Sequence, residues 1–263
     1  MNGKYTGPIK YKNILLTGST GKLGGAIKSS GLFQGLLLPA RKTLDITKPK
    51  SIERYFRDNN IDAVIHCAAL VQLAASENDP GGALNTNIIG TANLVNTILL
   101  AGKKTKKKIR FIHISSDGVY PGTEGHYSER SPTIPYNKYG WTKLGAECAV
   151  HLLEDFCIIR TSFYDPRLIQ FNEAATDIYS SKMEINDLVI AIKFLLLSDF
   201  IGTINVGSDR ESNYNKYKNL KPALKPCTYR GISKQIPFKT YSDASLDLGL
   251  WRKISNKNNF LSI

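Results

Sequence analysis

The sequence predicts an α/β protein: a doubly wound parallel sheet of the Rossmann type with a smaller C-terminal lobe. Three observations indicate this fold. Short apolar runs alternate with longer helical patterns over residues 13–161, the first run ends in a glycine-rich turn, and the strands are too far apart in sequence for hairpins. Parallel strands joined by right-handed helical crossovers account for all three observations.

The predicted strands are short apolar runs at 13–17, 35–39, 63–66, 109–115 and 157–161. Helices are predicted between them at 49–59, 82–101 and 138–154. Runs such as Val64-Ile65 are apolar without alternation, which is typical of strands that helices cover on both faces. We therefore expect these strands to form the centre of the sheet.

The alternation ends after the last of these strands. One more helix is predicted at 186–198 and one more strand at 202–206, whereas the remaining C-terminal sequence is loop-rich, aromatic and basic. We therefore expect a core over residues 1–161 and a second lobe over residues 162–263, with residues 186–207 returning to the core.

Composition excludes several classes of protein. Of the 263 residues, 42% are hydrophobic and 22% charged, as in globular rather than disordered or fibrous chains. The apolar runs are shorter than the roughly 20 residues that cross a bilayer, and no apolar signal core follows Met1, so we expect a cytoplasmic protein without a membrane segment. The four cysteines lie far apart without a Cys-x-x-Cys pair, which predicts reduced thiols and no metal site.

The formal net charge of +13 suits either nucleic acid or an anionic small molecule. The densest basic run, Lys103–Arg110, contains no aromatic residue and joins a helix end to a strand. Lysines are favoured at a helix C-terminus and in water, so this run is interpreted as a surface connector. We therefore expect no nucleic-acid partner.

Three glycines, Gly18, Gly21 and Gly24, are spaced three apart where the first strand becomes the first helix. Such glycines permit a tight turn, a close approach of backbone amides to a diphosphate, and close packing of helix on strand. A Walker A loop is excluded because Leu23, rather than Ser or Thr, follows Lys22. The turn predicts a dinucleotide site at the helix N-terminus.

The second strand indicates which dinucleotide is preferred. An acidic residue that would bind the ribose hydroxyls of NAD is missing at its end, where Arg41 and Lys42 stand instead. Two cations there would attract a 2′-phosphate, so NADP is preferred over NAD. Asp45 and Ile46 follow and are expected at the adenine.

Tyr139 and Lys143 lie one helical turn apart on the same helix face. An ammonium lowers the pKa of a neighbouring phenol towards working pH, so that the phenol can exchange a proton with a carbonyl or alcohol oxygen. The spacing recurs twice in the polar segment 214–221, so it is not specific by itself. Ser116 adds to it, because it stands at a strand end, where such sheets bind ligands, and can donate to the same oxygen.

Several motifs together resemble the extended short-chain dehydrogenase/reductase family. These motifs, whose order and spacing also match the family, are Thr17–Gly24, Val64–Ala69, Asn87–Leu94, Ile114–Tyr120 and Tyr139–Lys143. Within that family the chain is most similar to dTDP-4-dehydrorhamnose reductases and their relatives, through Leu44–Ile46, Asn137–Gly140 and Arg160–Ser162.

The resemblance implies a catalytic triad of Ser116, Tyr139 and Lys143, in which Tyr139 and Lys143 also contact the cofactor and Lys143 holds the nicotinamide ribose. The positions that it places at the cofactor are Gly18, Thr20, Gly21, Leu23 and Gly24 near the diphosphate, Asp45 and Ile46 near the adenine, Cys67, Ala68 and Ala69 beneath it, and Asn87 on a helix. Residues 1–161 are thus expected to bind the dinucleotide and residues 162–263 mainly the substrate.

The activity implied is NAD(P)H-dependent reduction of a nucleotide-linked 4-keto-6-deoxysugar, with Tyr139 as proton donor. An NAD-dependent nucleotide-sugar epimerase, or a non-catalytic NAD(P)-binding regulatory subunit like that of methionine adenosyltransferase, are the alternatives. Arg167, Lys182 or Arg210 would attract the substrate's diphosphate. The resemblance also implies a homodimer.

Two departures from the family pattern bear on the substrate. Sugar-nucleotide dehydratases carry an acidic pair after the strand-end hydroxyl, whereas Asp117 is followed by Gly118 here, which disfavours dehydration. The reductases often carry Thr and Asp where this chain has Val71 and Ala74. The segment between Arg160 and Asp187 is short for the family, so the sugar pocket is expected to be reduced or open.

Overall fold

Strands and helices alternate along the computed structural model, which describes residues 10–233 and 239–257. Within these residues the strands are β1 (Ile14–Thr17), β2 (Leu36–Leu37), β3 (Ala63–His66), β4 (Arg110–Ile114), β5 (Phe156–Arg160), β6 (Phe163–Tyr164), β7 (Glu173–Ala175), β8 (Tyr179–Ser180), β9 (Met183–Glu184), β10 (Gly202–Asn205), β11 (Glu211–Ser212), β12 (Lys225–Cys227) and β13 (Asp243–Ala244). The helices are α1 (Lys22–Ser29), α2 (Pro49–Asp58), α3 (Leu73–Asn78), α4 (Pro80–Ala83), α5 (Gly90–Thr105), α6 (Lys138–Val150), α7 (Ile185–Leu197), α8 (Asn213–Lys218), α9 (Tyr229–Ser233) and α10 (Gly249–Lys257). The N-terminal residues on which the expectation about a signal rests lie outside the described ranges.

The central sheet has six parallel strands in the order β10-β5-β4-β3-β1-β2. Every residue of β1, β3, β4 and β5 is buried, as expected for strands with helices on both faces. The predicted doubly wound α/β fold is confirmed. The single helix predicted over 82–101 is instead three segments, because a π-helical stretch, Leu84–Ile89, joins α4 to α5.

Helices cover the two faces of the sheet in two groups. On one face, Leu16 and Ile65 pack in a cluster with residues of α1, α7 and α10. On the other face, Leu15 and Val64 pack with residues of α2, α5 and α6. Each buried side chain of this kind contributes about 1.5–3 kcal/mol relative to an exposed one. The carboxyl ends of the strands are left at one edge, where the loops meet.

The C-terminal lobe is built from short strands rather than from a second large sheet. Its strands form a β11-β8-β13 sheet and two pairs, β12 with β7 and β6 with β9. The helix and the strand expected around 186–207 are α7 and β10, and β10 pairs with β5 at the edge of the central sheet. Among the described helices, none has the length and the apolar character that a membrane span needs.

The basic run 103–110 is only partly a surface connector. Its lysines are exposed or half-buried, but Arg110 is 1% exposed and belongs to β4. Its guanidinium donates to Asp155 Oδ1 at 2.5 Å and to the carbonyls of Leu195 and Phe200 at 2.9 and 2.7 Å. The interpretation of the whole run as solvated is therefore wrong for Arg110, whose charge is satisfied inside the fold.

Candidate active site

The turn after β1 and the turn after β3 lie against each other at the carboxyl edge of the sheet. Gly18 has a φ of 71°, and a Cβ there would come within 2.6 Å of the Ala68 amide nitrogen. Thr17 Oγ1 accepts a hydrogen bond from the same amide at 3.3 Å and bonds His66 Nδ1 at 2.7 Å. Glycine is therefore required at position 18 both for the turn and for this close approach.

The glycine turn leaves the N-terminus of α1 open. A Cβ on Gly24 would lie 2.2 Å from the Gly18 carbonyl oxygen, so the helix packs directly on the turn. Gly21 is the N-cap and carries no side chain to bond the first amides, while Thr20, Gly21 and Lys22 are exposed. These free amides and the helix dipole fit a dinucleotide diphosphate. The buried side chain of Leu23 packs in the core, so only its backbone faces this cradle.

Arg41 and Asp45, expected near the adenosine, lie together after the second strand. Arg41 Nε is 3.6 Å from Asp45 Oδ2, and the Arg41 side chain is 80% exposed. Burial raises the pKa of Asp45, but hydrogen bonds from Thr47 and the charge of Arg41 outweigh it and hold the pKa below its usual value. Ile46 is buried, and its side chain packs so closely on Gly90 that a Cβ at position 90 would collide with it. The exposed guanidinium fits a 2′-phosphate.

The residues after β3 form the floor of the same edge. Cys67, Ala68 and Ala69 are half-buried there. Asn87 is only 1% exposed: its amide accepts from Leu70 N at 2.7 Å and donates to Leu70 O and to Thr142 Oγ1 at 3.0 and 2.8 Å. With both amide groups so used, Asn87 positions this loop against α6 instead of presenting its side chain to a cofactor.

Ser116 and Tyr139 are brought together by a close approach of α6 to the turn after β4. A Cβ on Gly140 would lie 2.2 Å from the carbonyl oxygen of Gly118, so only glycine allows this contact. Asn137 caps the helix by accepting from the Gly140 amide at 2.8 Å. The Ser116 hydroxyl accepts from the Gly118 amide at 3.0 Å, donates to Asp117 Oδ1 at 3.2 Å and neighbours the Tyr139 phenol.

The electrostatics of Tyr139 differ from the prediction. The sequence predicts a pKa that Lys143 lowers; in the structure, burial and the Asp117 carboxylate raise the pKa of Tyr139, and the neighbouring Ser116 hydroxyl lowers it only in part. The predicted direction is wrong because burial has the largest effect on the phenol, the Asp117 carboxylate adds to it, and the Lys143 ammonium is directed at His113 instead. A raised pKa keeps the phenol protonated, which is the form that a proton donor needs.

Lys143 is buried, and its ammonium is directed at the imidazole of His113. The Nζ–Nε2 distance is 3.5 Å. Burial lowers the pKa of Lys143 to about 8, against the raising effect of Glu147 and Cys67. Burial and Lys143 also hold the pKa of His113 well below its usual value, so the neutral ring accepts through Nε2. Its Nδ1 has no partner among the described residues.

Glu147, one further turn along α6, fixes the helix to the sheet. Its Oε2 accepts two hydrogen bonds from the Arg160 side chain, at 2.7 and 3.2 Å. Its Oε1 accepts a third from the same side chain, at 3.1 Å. Ser115 Oγ donates to it at 2.5 Å, and Arg160 Nη1 donates to Tyr120 Oη at 2.9 Å. All four side chains are buried. The strand end at Ser115 and the helix that carries Tyr139 are thereby held by one polar network.

In the sequence, Asp117 and Gly118 indicate only that dehydration is disfavoured, yet the Asp117 carboxylate lies inside the site, where it accepts from Ser116 Oγ at 3.2 Å. Burial raises its pKa to about 6, against the lowering effects of Lys182 and of hydrogen bonds with Ser116 and Ser162. Its place directly after the strand-end Ser116 is the sequence signal that could have identified it. No sequence pattern indicates the contact of His113 with the Lys143 ammonium, because that contact depends on the direction of the Lys143 side chain.

The three cations expected to attract a diphosphate differ in their surroundings. Arg167 pairs with Asp165 at 2.8 Å and Arg210 with Asp243 at 2.8 Å. Lys182 instead lines a cavity in the C-terminal lobe. Of the three, Lys182 is therefore the cation best placed for an anion.

Residues 12–181 match the family model of the RmlD substrate-binding domain. The chain is 34% identical over 141 residues to a dTDP-4-dehydrorhamnose reductase of Burkholderia thailandensis, covering 52% of this chain and 45% of the relative. It is 28% identical over 189 residues to methionine adenosyltransferase 2 subunit beta of Xenopus tropicalis, covering 68% of this chain and 55% of the relative. The chain spans about half the length of the curated relatives it matches.

Solved structures extend the likeness in fold over nearly all of the chain. A dTDP-4-dehydrorhamnose reductase from Bacillus anthracis in complex with NADP has a TM-score of 0.81 and 22% identity, covering 92% of both chains. The resemblance drawn from the motifs is confirmed by these matches. Because the family model covers more than half of the sequence, this chain belongs to the RmlD substrate-binding domain family.

Proposed function

We propose that the protein reduces a nucleotide-linked 4-keto-6-deoxysugar with NADPH or NADH. One observation carries the proposal: α6 and the turn after β4 approach so closely, at Gly140 and Gly118, that the Tyr139 phenol and the Ser116 hydroxyl are neighbours at the sheet edge that also holds the glycine turn. A hydroxyl and a protonated phenol that meet there can bind one carbonyl oxygen together.

Each residue of the site has a separate role in the proposed reaction. Ser116 donates a hydrogen bond to the carbonyl oxygen and Tyr139 delivers the proton, while the dinucleotide supplies the hydride. The first amides of α1, which follow Gly21, hold the diphosphate, and the exposed Arg41 holds a 2′-phosphate. Lys143 orients the nicotinamide ribose. NADP is therefore preferred over NAD.

The substrate class rests on the relatives. Two of them bear the names dTDP-4-dehydrorhamnose reductase and dTDP-4-keto-6-deoxy-D-glucose reductase, at 34% and 32% identity. The cavity beside Lys182 offers room for the nucleotide. We also expect a homodimer, which size-exclusion chromatography with light scattering tests. We expect a cytoplasmic location, which cell fractionation tests.

The test is the loss of NADPH absorbance with a panel of nucleotide-linked 4-keto-6-deoxysugars. Wild type should turn over at least one of them, and Tyr139→Phe should lower kcat by about 10²–10⁴-fold, the range for removing a general acid. The affinity for NADPH, measured by NADPH fluorescence, should be unaffected by the substitution. A panel without turnover contradicts the reductase proposal.

A regulatory subunit is the second candidate, because methionine adenosyltransferase 2 subunit beta of Xenopus tropicalis matches 68% of this chain, at 28% identity. Dinucleotide binding without turnover of any keto sugar would favour it. An epimerase, the third candidate, would retain NAD through purification and would interconvert two nucleotide sugars without net oxidation of added NADPH.

A further inference from the structure

Two buried histidines lie side by side in the central sheet, next to its carboxyl edge. In the register of the strands, His66 of β3 lies beside His113 of β4, and His113 lies beside Ile158 of β5. Because side chains alternate along a strand, His113 points to the same face as Phe111, the face that α2, α5 and α6 cover. That face is otherwise an apolar cluster, so two imidazoles within it require a physical reason.

The two imidazoles differ in how they are hydrogen-bonded. His66 bonds Thr17 Oγ1 through Nδ1 at 2.7 Å and Thr91 Oγ1 through Nε2 at 2.9 Å, so it ties β1 to α5 with both ring nitrogens. His113 reaches Lys143 Nζ through Nε2 at 3.5 Å, whereas its buried Nδ1 has no partner within residues 10–233 and 239–257. A buried polar group without a partner costs free energy, so stability alone does not explain an imidazole at position 113.

The Lys143 ammonium has the matching requirement. Lys143 is 3% exposed, and its ammonium carries three donors and no acceptor. In the part of the chain that the structure describes, His113 Nε2 is its one hydrogen-bond acceptor. The charge of Glu147 also favours the ammonium, but that carboxylate is bonded to Arg160 and Ser115 instead. The imidazole therefore fixes one of the three donors, and two remain for a ligand.

The protonation states of this pair agree with a neutral ring that accepts from an ammonium. Burial, together with the charges of Lys143 and His66, holds the pKa of His113 well below its usual value. Burial lowers the pKa of Lys143 to about 8, against the raising effect of Glu147 and Cys67. Below pH 8 the ring is thus neutral and the ammonium charged. Because Nε2 accepts, the single ring proton of His113 must lie on Nδ1.

We propose that His113 is a positioning residue of the reaction: it holds the Lys143 ammonium in one direction and leaves its other two donors for the ribose of a bound dinucleotide. This inference rests on the proposed function, in which Lys143 orients the nicotinamide ribose. His113 is 0% exposed, so it cannot touch a ligand and acts only through Lys143. Its place on β4, where every residue is buried, gives the contact a fixed base.

The contact itself is tested by NMR of the full chain labelled with ¹⁵N-histidine, without any ligand. The sequence contains four histidines, and the signals that are missing in His113→Gln identify those of residue 113. From about pH 6 to 9 we expect a neutral ring, with its proton on Nδ1 and a bare Nε2 whose signal changes in Lys143→Met. A proton on Nε2, or an Nε2 signal that is the same in Lys143→Met, overturns the proposal.

The positioning role is tested by the affinity for NADPH, measured by fluorescence over the same pH range. His113→Leu removes the acceptor and puts an apolar side chain on an apolar face, so it should fold. It should bind NADPH about tenfold more weakly at about pH 7, the effect of disturbing a contact to a charged group. The loss of affinity at high pH should begin about one unit lower, because the ammonium loses a group that stabilises its charged form. His113→Gln offers an amide oxygen as acceptor and should recover most of the affinity.

Ile158→Val is the matched control, because it loosens the buried position beside His113 and removes no hydrogen bond. It should melt at a lower temperature but bind NADPH with the pH dependence of wild type. Weaker binding in His113→Leu that His113→Gln restores supports the proposal. Wild-type affinity in His113→Leu, or an equal shift of the pH dependence in Ile158→Val, overturns it. Thermal melting confirms that each variant is folded.

The reductase proposal is judged separately. Wild type whose NADPH affinity depends on His113, but which oxidises no NADPH with the sugar panel, contradicts the reductase and leaves the role of His113 in place. Turnover of a keto sugar by a His113→Leu variant that keeps wild-type NADPH affinity and pH dependence has the opposite meaning: the reductase stands and the positioning role is wrong.

Discussion

The catalytic wall, our name for the proposed catalytic residues Ser116, Tyr139 and Lys143, and the cavity around Lys182 are held in different ways. Behind the catalytic wall, buried hydrogen bonds join elements of the central sheet to α6, and glycines let backbone segments touch. Around the cavity, the aromatic side chains come from a loop and a short helix: Phe171 precedes β7 and is 42% exposed, and Tyr217 belongs to α8. The first region should therefore fix the geometry of the chemistry, whereas the second should tune affinity.

The buried ion pair of Glu147 with Arg160 gives the largest expected effect. Glu147→Gln leaves a buried guanidinium without its counter-charge, which costs about 3–5 kcal/mol of the free energy of unfolding. Denaturant unfolding measures this loss. The matched control is Glu154→Gln, whose exposed pair with Lys108 should not measurably affect stability. Equal losses in both variants would show that the buried network does not anchor α6.

The contact of Gly140 with Gly118 comes next. In Gly140→Ala the new Cβ would lie 2.2 Å from a backbone oxygen, so α6 must shift, at a cost of about 1–3 kcal/mol, and Tyr139 must move away from Ser116. We expect a lower melting temperature and a lower kcat. Gly102→Ala in α5, where the nearest atom is 3.5 Å away, should be neutral or slightly stabilising. Full activity in Gly140→Ala would contradict the close-approach argument.

These two regions also differ in how far the sequence predicts them. The convergence of Ser116 with Tyr139 is foreseeable, because a strand end and a helical motif fix backbone positions. The contact of Lys143 with His113 is not, since it depends on a long side chain choosing a rotamer. The placement of Lys182 is also unpredictable, because strands as short as β8 and β9 carry no periodicity from which to infer their pairing.

The pKa of Lys143 gives a third prediction about the catalytic wall. With that pKa at about 8, the ammonium is present below pH 8 and is lost as the pH rises through this value. The raised pKa of Tyr139 keeps the phenol protonated over the same range. We therefore expect kcat/KM for keto-sugar reduction to be level below about pH 8 and to fall about tenfold per unit above it. A profile that stays flat to pH 9 would show that the charge of Lys143 is not required.

The smallest effect is expected at the cavity, where Phe171 is partly exposed and contacts Tyr217 edge-to-face. Phe171→Leu keeps an apolar side chain but removes the ring face that a nucleoside would pack against, a contact worth about 0.5–1.5 kcal/mol. KM for the nucleotide sugar should therefore rise about two- to tenfold with little change in kcat, as measured by steady-state kinetics. The substituted ring is separate from Ser116 and Tyr139, so the substitution should not change the chemical step. A fall in kcat instead of a rise in KM would mean that the cavity does shape the chemical step. The distinction between a region that fixes geometry and a region that tunes affinity would then be wrong.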